Sequence, residues 1–319
     1  MRRRALLSSV AAVSTAGLTG CFSVGGGCSH GRTVIFTPVS PDDVADREAA
    51  PATADRPELF ETLLDRVLDG EDIEIETTHR DPLGWVTYYR TGTDYYEFTS
   101  TIVTDGEVTG PQYRLRRDED VPPDPNPADT LSYTGLPFQD RLRVGEAVDY
   151  QPELFATRER DRGFESRPFV AGYLDPDAQA DSHLTTGIEE TYLEVDDGHF
   201  AIEELGEGTT SARRFAYAAE HVAGDTQAFA DLIFAKRGAT LDSPPEEVEQ
   251  LLLTAREEEG RLDVCDDDPG DEDAADPNRE AANALQEYLS ELESEVPGDL
   301  EYARSDGEWH RIGVSTWDV

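Results

Sequence analysis

The chain has 319 residues, with 69 Asp and Glu against 27 Lys and Arg, a formal charge of −42, and Lys236 as its only lysine. Hydrophobic residues make up 37% and aromatics 8%, enough to bury a core, so a wholly disordered chain is excluded and about one to three domains are expected. Electrostatic binding of DNA or RNA as the main activity is excluded too, because phosphate recognition needs a basic face.

The N-terminus reads as an address. Arg2, Arg3 and Arg4 form a positive region, and Ala5 to Gly17 an uncharged, mildly apolar stretch of thirteen residues. A helix that spans a bilayer needs about 20, so residues 1–20 are expected to be an export signal and not a transmembrane segment. Arg3-Arg4-Ala5-Leu6-Leu7 resembles the twin-arginine pattern. Leu18-Thr19-Gly20-Cys21 looks like a lipobox, in which small residues admit a peptidase and the Cys21 thiol takes the lipid. On this reading the mature chain starts at Cys21 and is held by that lipid to the outer face of the cytoplasmic membrane. An exported protein meets an oxidising medium, so Cys28 and Cys265 are either a disulfide closing a long loop or two separate thiols.

Residues 21–56 contain Gly25-Gly26-Gly27 and Pro38, Pro41 and Pro51, which predicts a flexible tether with a short strand at Thr33 to Thr37. A first α+β unit is expected over 57–117. Pro57 opens a helix with Leu59, Phe60, Leu63, Leu64, Val67 and Leu68 at helical spacing, ended by Gly70. Ile73 and Ile75 alternate as a strand does; Trp85 to Tyr89 and Tyr95 to Val103 flank a hairpin turn, with a further strand at Gln112 to Arg117. Residues 118–130, with four prolines, read as an acidic linker.

A second unit, 131–222, is expected to hold a helix near Leu136 to Val148, a hairpin about Asp196-Asp197-Gly198 and a strand at Arg213 to Val222. The third, 223–319, is expected to be helix-rich, with helices at Thr226 to Lys236, after an N-cap Ser243, and around Leu285 to Leu292, and to close in a hairpin at Asp306-Gly307. The fold class is therefore α+β, helices packed on antiparallel hairpins. The turn glycines Gly92, Gly198 and Gly307 fall at nearly equal intervals, which suggests three diverged copies of one helix-plus-hairpin unit.

No catalytic, metal or cofactor site can be assigned. The histidines are His30, His79, His183, His199, His221 and His310, with no pair at i, i+4 and no HExxH. His199 and His310 follow hairpin turns and read as solvent-facing strand residues. His30 near Cys28 is too little for a metal site. The only methionine is Met1, so the usual axial ligand of blue copper is missing. There is no GxSxG elbow, no GxxxxGK[ST] or GxGxxG loop, and no haem or iron–sulfur cysteine pattern. The acidic loop Asp266 to Asp273 lacks EF-hand spacing and reads as solvated.

Abundant carboxylates with almost no lysine resemble extremely halophilic archaeal proteins, in which salt screens self-repulsion: the Debye length is about 3 Å at molar salt. Together with the arginines and the box ending in Cys21, the chain resembles uncharacterised haloarchaeal lipoproteins exported by the twin-arginine route. The resemblance implies location and no chemistry. The expected function is a non-catalytic binding or envelope-organising module with a protein or surface ligand as partner. The alternative is an extracellular hydrolase, and a transporter's solute-binding component is disfavoured for want of βαβ alternation.

Overall fold

The computed structural model describes residues 30–51, 58–148, 163–195, 198–266, 276 and 278–318. They form an α+β protein with mainly antiparallel sheets, as expected. The chain divides into two compact units, 41–232 and a smaller one that joins 1–40 to 233–319. The first described strand, β1 (His30–Pro38), belongs to the smaller unit.

The larger unit runs α1 (Pro41–Glu48), β2 (Ala49–Pro51), α2 (Glu58–Leu68), β3 (Ile73–Thr77), β4 (Tyr88–Thr91), β5 (Asp94–Arg117), β6 (Thr130–Ser132), α3 (Phe138–Ala147), β7 (Phe164–Glu165), β8 (Phe169–Val170), α4 (Pro176–Asp181), β9 (Tyr192–Val195) and β10 (Gly198–Ala223). Helix α5 (Thr226–Arg237) contains the boundary between the units. The spacing of apolar residues in α2 does what it predicts: Leu59, Phe60, Leu63, Leu64 and Val67 are buried against Ile73, Ile75, Phe98, Phe215 and Tyr217. A second core gathers Tyr113, Leu115, Val144, Phe169, Leu193 and Phe200.

Both cores are built on one ladder. β5 has 24 residues and β10 has 26, and they pair antiparallel from Tyr95↔Ala223 to Arg116↔Ala201. The expected break between Val103 and Gln112 does not occur, because β10 supplies a partner throughout. Pro111 is tolerated there since its carbonyl accepts from Ala171 N–H at 2.8 Å on the side away from β10, so its missing N–H costs the ladder nothing. Each strand carries one extra residue between its core segments, Val103 in β5 and Leu205 in β10. The alternation therefore shifts by one: Phe98 but Tyr113 and Leu115 are buried on β5, Phe200 but Phe215 and Tyr217 on β10. These bulges keep both sets on one side of the ladder.

The smaller unit continues with β11 (Gly238–Thr240), α6 (Glu246–Glu257), β12 (Arg261–Cys265), α7 (Arg279–Glu293), β13 (Tyr302–Ser305) and β14 (Glu308–Asp318), in a sheet ordered β11-β13-β14-β1-β12. Val248, Leu251, Leu252 and Ala255 of α6 and Ala281, Ala282 and Leu285 of α7 bury Val34, Phe36 and Ile312. Phe234 stacks on Trp309 at 4.2 Å and meets the edge of Tyr302. Two expectations are corrected. The described part of 21–56 is not a tether: it holds β1, α1 and β2, since a sheet can order a Pro-punctuated segment when Val34 and Phe36 have a core to enter. Ser243 does not cap α6. Its φ of 55° is left-handed, and the helix starts after Pro245.

One pairing pattern occurs three times. A three-residue strand runs parallel to a four-residue strand, which turns into a long strand; the long strand pairs with another, and that one also holds a strand that lies in sequence between the first two. The sets are β2, β4, β5 with β10 and β3; β6, β9, β10 with β5 and β7–β8; and β11, β13, β14 with β1 and β12. The hairpins close through two residues, and the last is a type I′ turn with φ of 53° at Asp306 and 85° at Gly307. Repeats are thus present, but the boundaries differ from 57–117, 131–222 and 223–319: the first two share their long strands, and the third takes β1.

On the other side of the β5–β10 ladder, the segment after β8 crosses close to its backbone. A Cβ added to Gly110 would lie 2.1 Å from the Ala171 carbonyl oxygen. Gly110→Ala should therefore destabilise the larger unit by about 1–3 kcal/mol or more. Gly224→Ala, whose added Cβ meets nothing nearer than 3.9 Å, should change stability little. Urea denaturation in concentrated salt tests this; equal effects of the two substitutions would contradict the close crossing.

Candidate functional site

The largest fully buried side chain is a cation. Arg143 of α3 is 1% exposed. Its Nη2 donates to Glu76 Oε1 at 3.2 Å and to the Gly172 carbonyl at 3.1 Å, and its Nη1 to Glu146 Oε2 at 3.1 Å. The guanidinium carbon lies 5.0 Å from the centre of the Tyr173 ring. Burial disfavours its charge, but the carboxylates, Glu146 foremost, outweigh that and raise its pKa. Glu76 Oε2 also accepts from the amides of Leu174 at 2.8 Å and Asp175 at 3.2 Å. Burial nevertheless raises its pKa above the ordinary carboxylate value, against the pull of Arg143.

Two further carboxylates complete the cluster. Glu146 accepts from Thr78 N–H at 2.7 Å and Thr78 Oγ1 at 2.6 Å. Asp140 accepts from Tyr173 Oη and Ser182 Oγ, both at 2.6 Å, and from His183 N–H at 2.8 Å. Burial, then the nearby Asp140 charge, holds the Tyr173 phenol well above its usual range. Every carboxylate here is engaged by protein donors, and only Arg143 Nε within the cluster is buried without a hydrogen-bond partner among the described residues, so the cluster is a structural network. Its effect is positional: Gly172 to Asp175 become a strap fixed to α3 and β3.

The strap covers part of the ladder and stops. An added Cβ at Gly106 would meet Leu174 at 3.0 Å. Before that point, Thr99 to Asp105 are seven successive exposed residues, with Ile102 51% and Val103 45% exposed. β4 pairs with β5 only over 94–97, and β8 joins at 112. Phe98 N–H donates outward to Thr87 at 2.8 Å. By alternation, Ser100 and Ile102 also direct their amides and carbonyls to that edge, where no described strand receives them. Acids stand at both ends, Asp94 and Glu97 before the stretch and Asp105 and Glu107 at its far end. Arg213 is paired with Asp105 in the ladder. This edge is the candidate site.

The residues singled out in the sequence are placed elsewhere. Arg3, Arg4, Cys21 and Cys28 lie outside the described residues. Cys265 is disulfide-bonded. Of the acidic loop, Asp266 accepts a two-pronged hydrogen bond from Arg32, whose Nη1 donates to Asn283 at 2.6 Å; residues 267–275 are outside the described set. His30, His79, His183 and His221 are exposed, and His221 lies 3.0 Å from Asp94. His199 and His310 are corrections. His199 is only partly exposed, and His310 is buried, stacked on Phe36 at 4.2 Å. The sheet face following Gly307 is covered by α6 and α7, which hairpin position alone does not reveal. Among the described residues no three His, Cys, Asp or Glu are grouped to hold a metal.

No family model, curated protein or solved structure matches the chain.

Two predictions follow from the buried charges. Arg143→Met leaves buried carboxylates without their cation and should cost about 3–5 kcal/mol. Glu76→Gln keeps an acceptor for the strap amides but turns an amide NH2 toward Arg143, which still has Glu146, so it should cost less, about 1–3 kcal/mol. Equal losses in chemical denaturation would remove Arg143 from the centre of the network. For His310, burial, opposed by Glu308 and reinforced by Arg256, holds the pKa below 6.5. The unfolded chain then takes up the proton first, so stability falls as pH drops below about 6.5. His310→Phe should flatten that slope for the smaller unit; an unchanged slope would assign it to other groups.

Proposed function

We propose that the chain is a lipid-anchored cell-surface protein of a halophile, and that its body is a non-catalytic binding module. The observation that carries the binding reading is the open edge of β5, where seven exposed residues with two large apolar side chains face solvent between two well-packed cores. A sheet edge of this kind recognises an extended partner through backbone hydrogen bonds. The anchoring reading is supported by Arg3, Arg4 and the Leu18-to-Cys21 box, and the salt adaptation by the charge of −42.

Pairing of Cys28 with Cys265 is part of the proposal. Cys265 is disulfide-bonded and sits opposite Gly31, three residues after Cys28. It would clip the N-terminal end of β1 to β12.

One experiment separates the parts. Cys21→Ser expressed in a halophilic host should appear in the medium or remain unprocessed, and mapping of unreduced peptides from it should join Cys28 to Cys265. Unchanged membrane retention defeats lipidation, and finding Cys28 and Cys265 unlinked defeats the clip. Hydrolytic turnover by the wild-type protein in high salt, abolished by a single side-chain change, would replace the binding reading by the hydrolase one.

A further inference from the structure

Resting on the binding reading, we infer that the β5 edge from Thr99 to Asp105 takes an extended segment of another protein, with β-branched apolar residues at its centre and a basic residue at each end. The edge is offered by the fold itself: the outward amides and carbonyls of Ser100 and Ile102 lie between the end of β4 and the strap, on a stretch that β10 already holds in strand conformation. An incoming strand would therefore meet a preordered template and lose only its own freedom. Ile102 and Val103 are the apolar surface such a strand would cover.

Charge selects the occupant. Thr99 to Thr104 carries no ionisable residue of its own, Asp81 accepts from Ser100 Oγ and Tyr217 Oη beside it, and Asp94 and Glu97 stand on one side and Asp105 and Glu107 on the other. Of the nearby cations, Arg214 is engaged with Glu74 and Asp175, which leaves Arg213, beside Asp105 in the ladder, as a partial offset. A second copy of the chain fits poorly. Antiparallel self-pairing that joins Ser100 to Ile102 turns about Thr101 and sets Glu97 opposite Asp105 at both ends, and like charges directly opposite are destabilising. A segment with Lys or Arg at those ends meets both acidic brackets with opposite charge.

The probes are two capped octapeptides of alternating Thr and Val, one with terminal lysines and one with terminal glutamates. They are added to the full mature chain at the lowest salt that keeps it folded. Hydrogen exchange should slow at least tenfold at Ser100 and Ile102 with the lysine peptide, which should bind at least tenfold tighter than the glutamate one. Ile102→Ser should weaken it by about tenfold while leaving the thermal midpoint close to wild type. Glu97→Gln combined with Glu107→Gln should narrow the difference between the peptides. Unchanged exchange at Ser100 and Ile102, or equal binding of both peptides, overturns the inference. So does protection that grows with protein concentration alone, since the occupant is then a second copy. Cross-linking of a partner elsewhere on the surface would defeat strand addition at β5 while leaving the binding reading standing, whereas turnover would defeat the reading itself.

Discussion

A strand can serve two hydrophobic cores only if its first half faces one and its second half the other, and β5 and β10 do this reciprocally. Phe98 and the C-terminal half of β10, with Phe215 and Tyr217, close the core under α2; Tyr113 and Leu115 and the N-terminal half of β10, with Phe200, close the other. Neither repeat completes its core with its own residues. The smaller unit obeys the same rule with β1, whose Val34 and Phe36 enter a core otherwise made by residues beyond 240. Folding of each core therefore waits on contacts distant in sequence, which makes closure entropically demanding and slow.

That sharing leaves a length of ladder between the cores which no described helix covers. Most side chains there enter neither core, and the chain has filled it mainly with Thr, Ser, Gly and acids, with Ile102 and Val103 as exposed exceptions. The strap of Gly172 to Asp175 crosses one part; Gly106 makes room for Leu174, Gly110 for Ala171 and Gly172, and Gly208 for Val170 just before it. Arg143 is what fixes the strap. A buried ion cluster is a poor source of net stability, but it specifies one arrangement, because any displaced member leaves an uncompensated charge. The exposed edge at Thr99 to Asp105 thus has a definite end, set by the position of Leu174.

Much of the local structure was legible in the sequence: α2 from its apolar spacing, the hairpin at Asp306-Gly307 from its turn chemistry, and the repeated turn from its interval. These are determined by a few neighbouring residues. What was not legible depends on partners far away. Thr104 to Pro111 reads as a break because Gly106, Gly110 and Pro111 disfavour an isolated strand, yet the β10 ladder carries them. His310 reads as exposed because nothing near it in the sequence announces α6 and α7. Arg143 and Glu76 lie 67 positions apart on α3 and β3, and among so many carboxylates no pattern singles out Glu76, Asp140 and Glu146 as buried. In a chain of −42, acid clusters are common by number alone, so the buried cation is the more informative residue.

The placement of β1 also changes the meaning of the proposed anchor. From Cys21 to His30 is nine residues, so the span from a lipid on Cys21 to β1 is at most about 30 Å. The leash is short, because the stretch that reads as tether is largely consumed by β1, α1 and β2. A strongly anionic body held that near anionic headgroups is repelled in dilute buffer and tolerated in concentrated salt, where the field decays within a few ångströms. Any pull from the membrane would also load β1, which lies between β14 and β12 in the sheet. A strand hydrogen-bonded on both sides yields only when both ladders shear together, and a clip between Cys28 and Cys265 would divert the load into β12. On this account β1, the first described strand, has a partner on each side for a mechanical reason as well as a topological one.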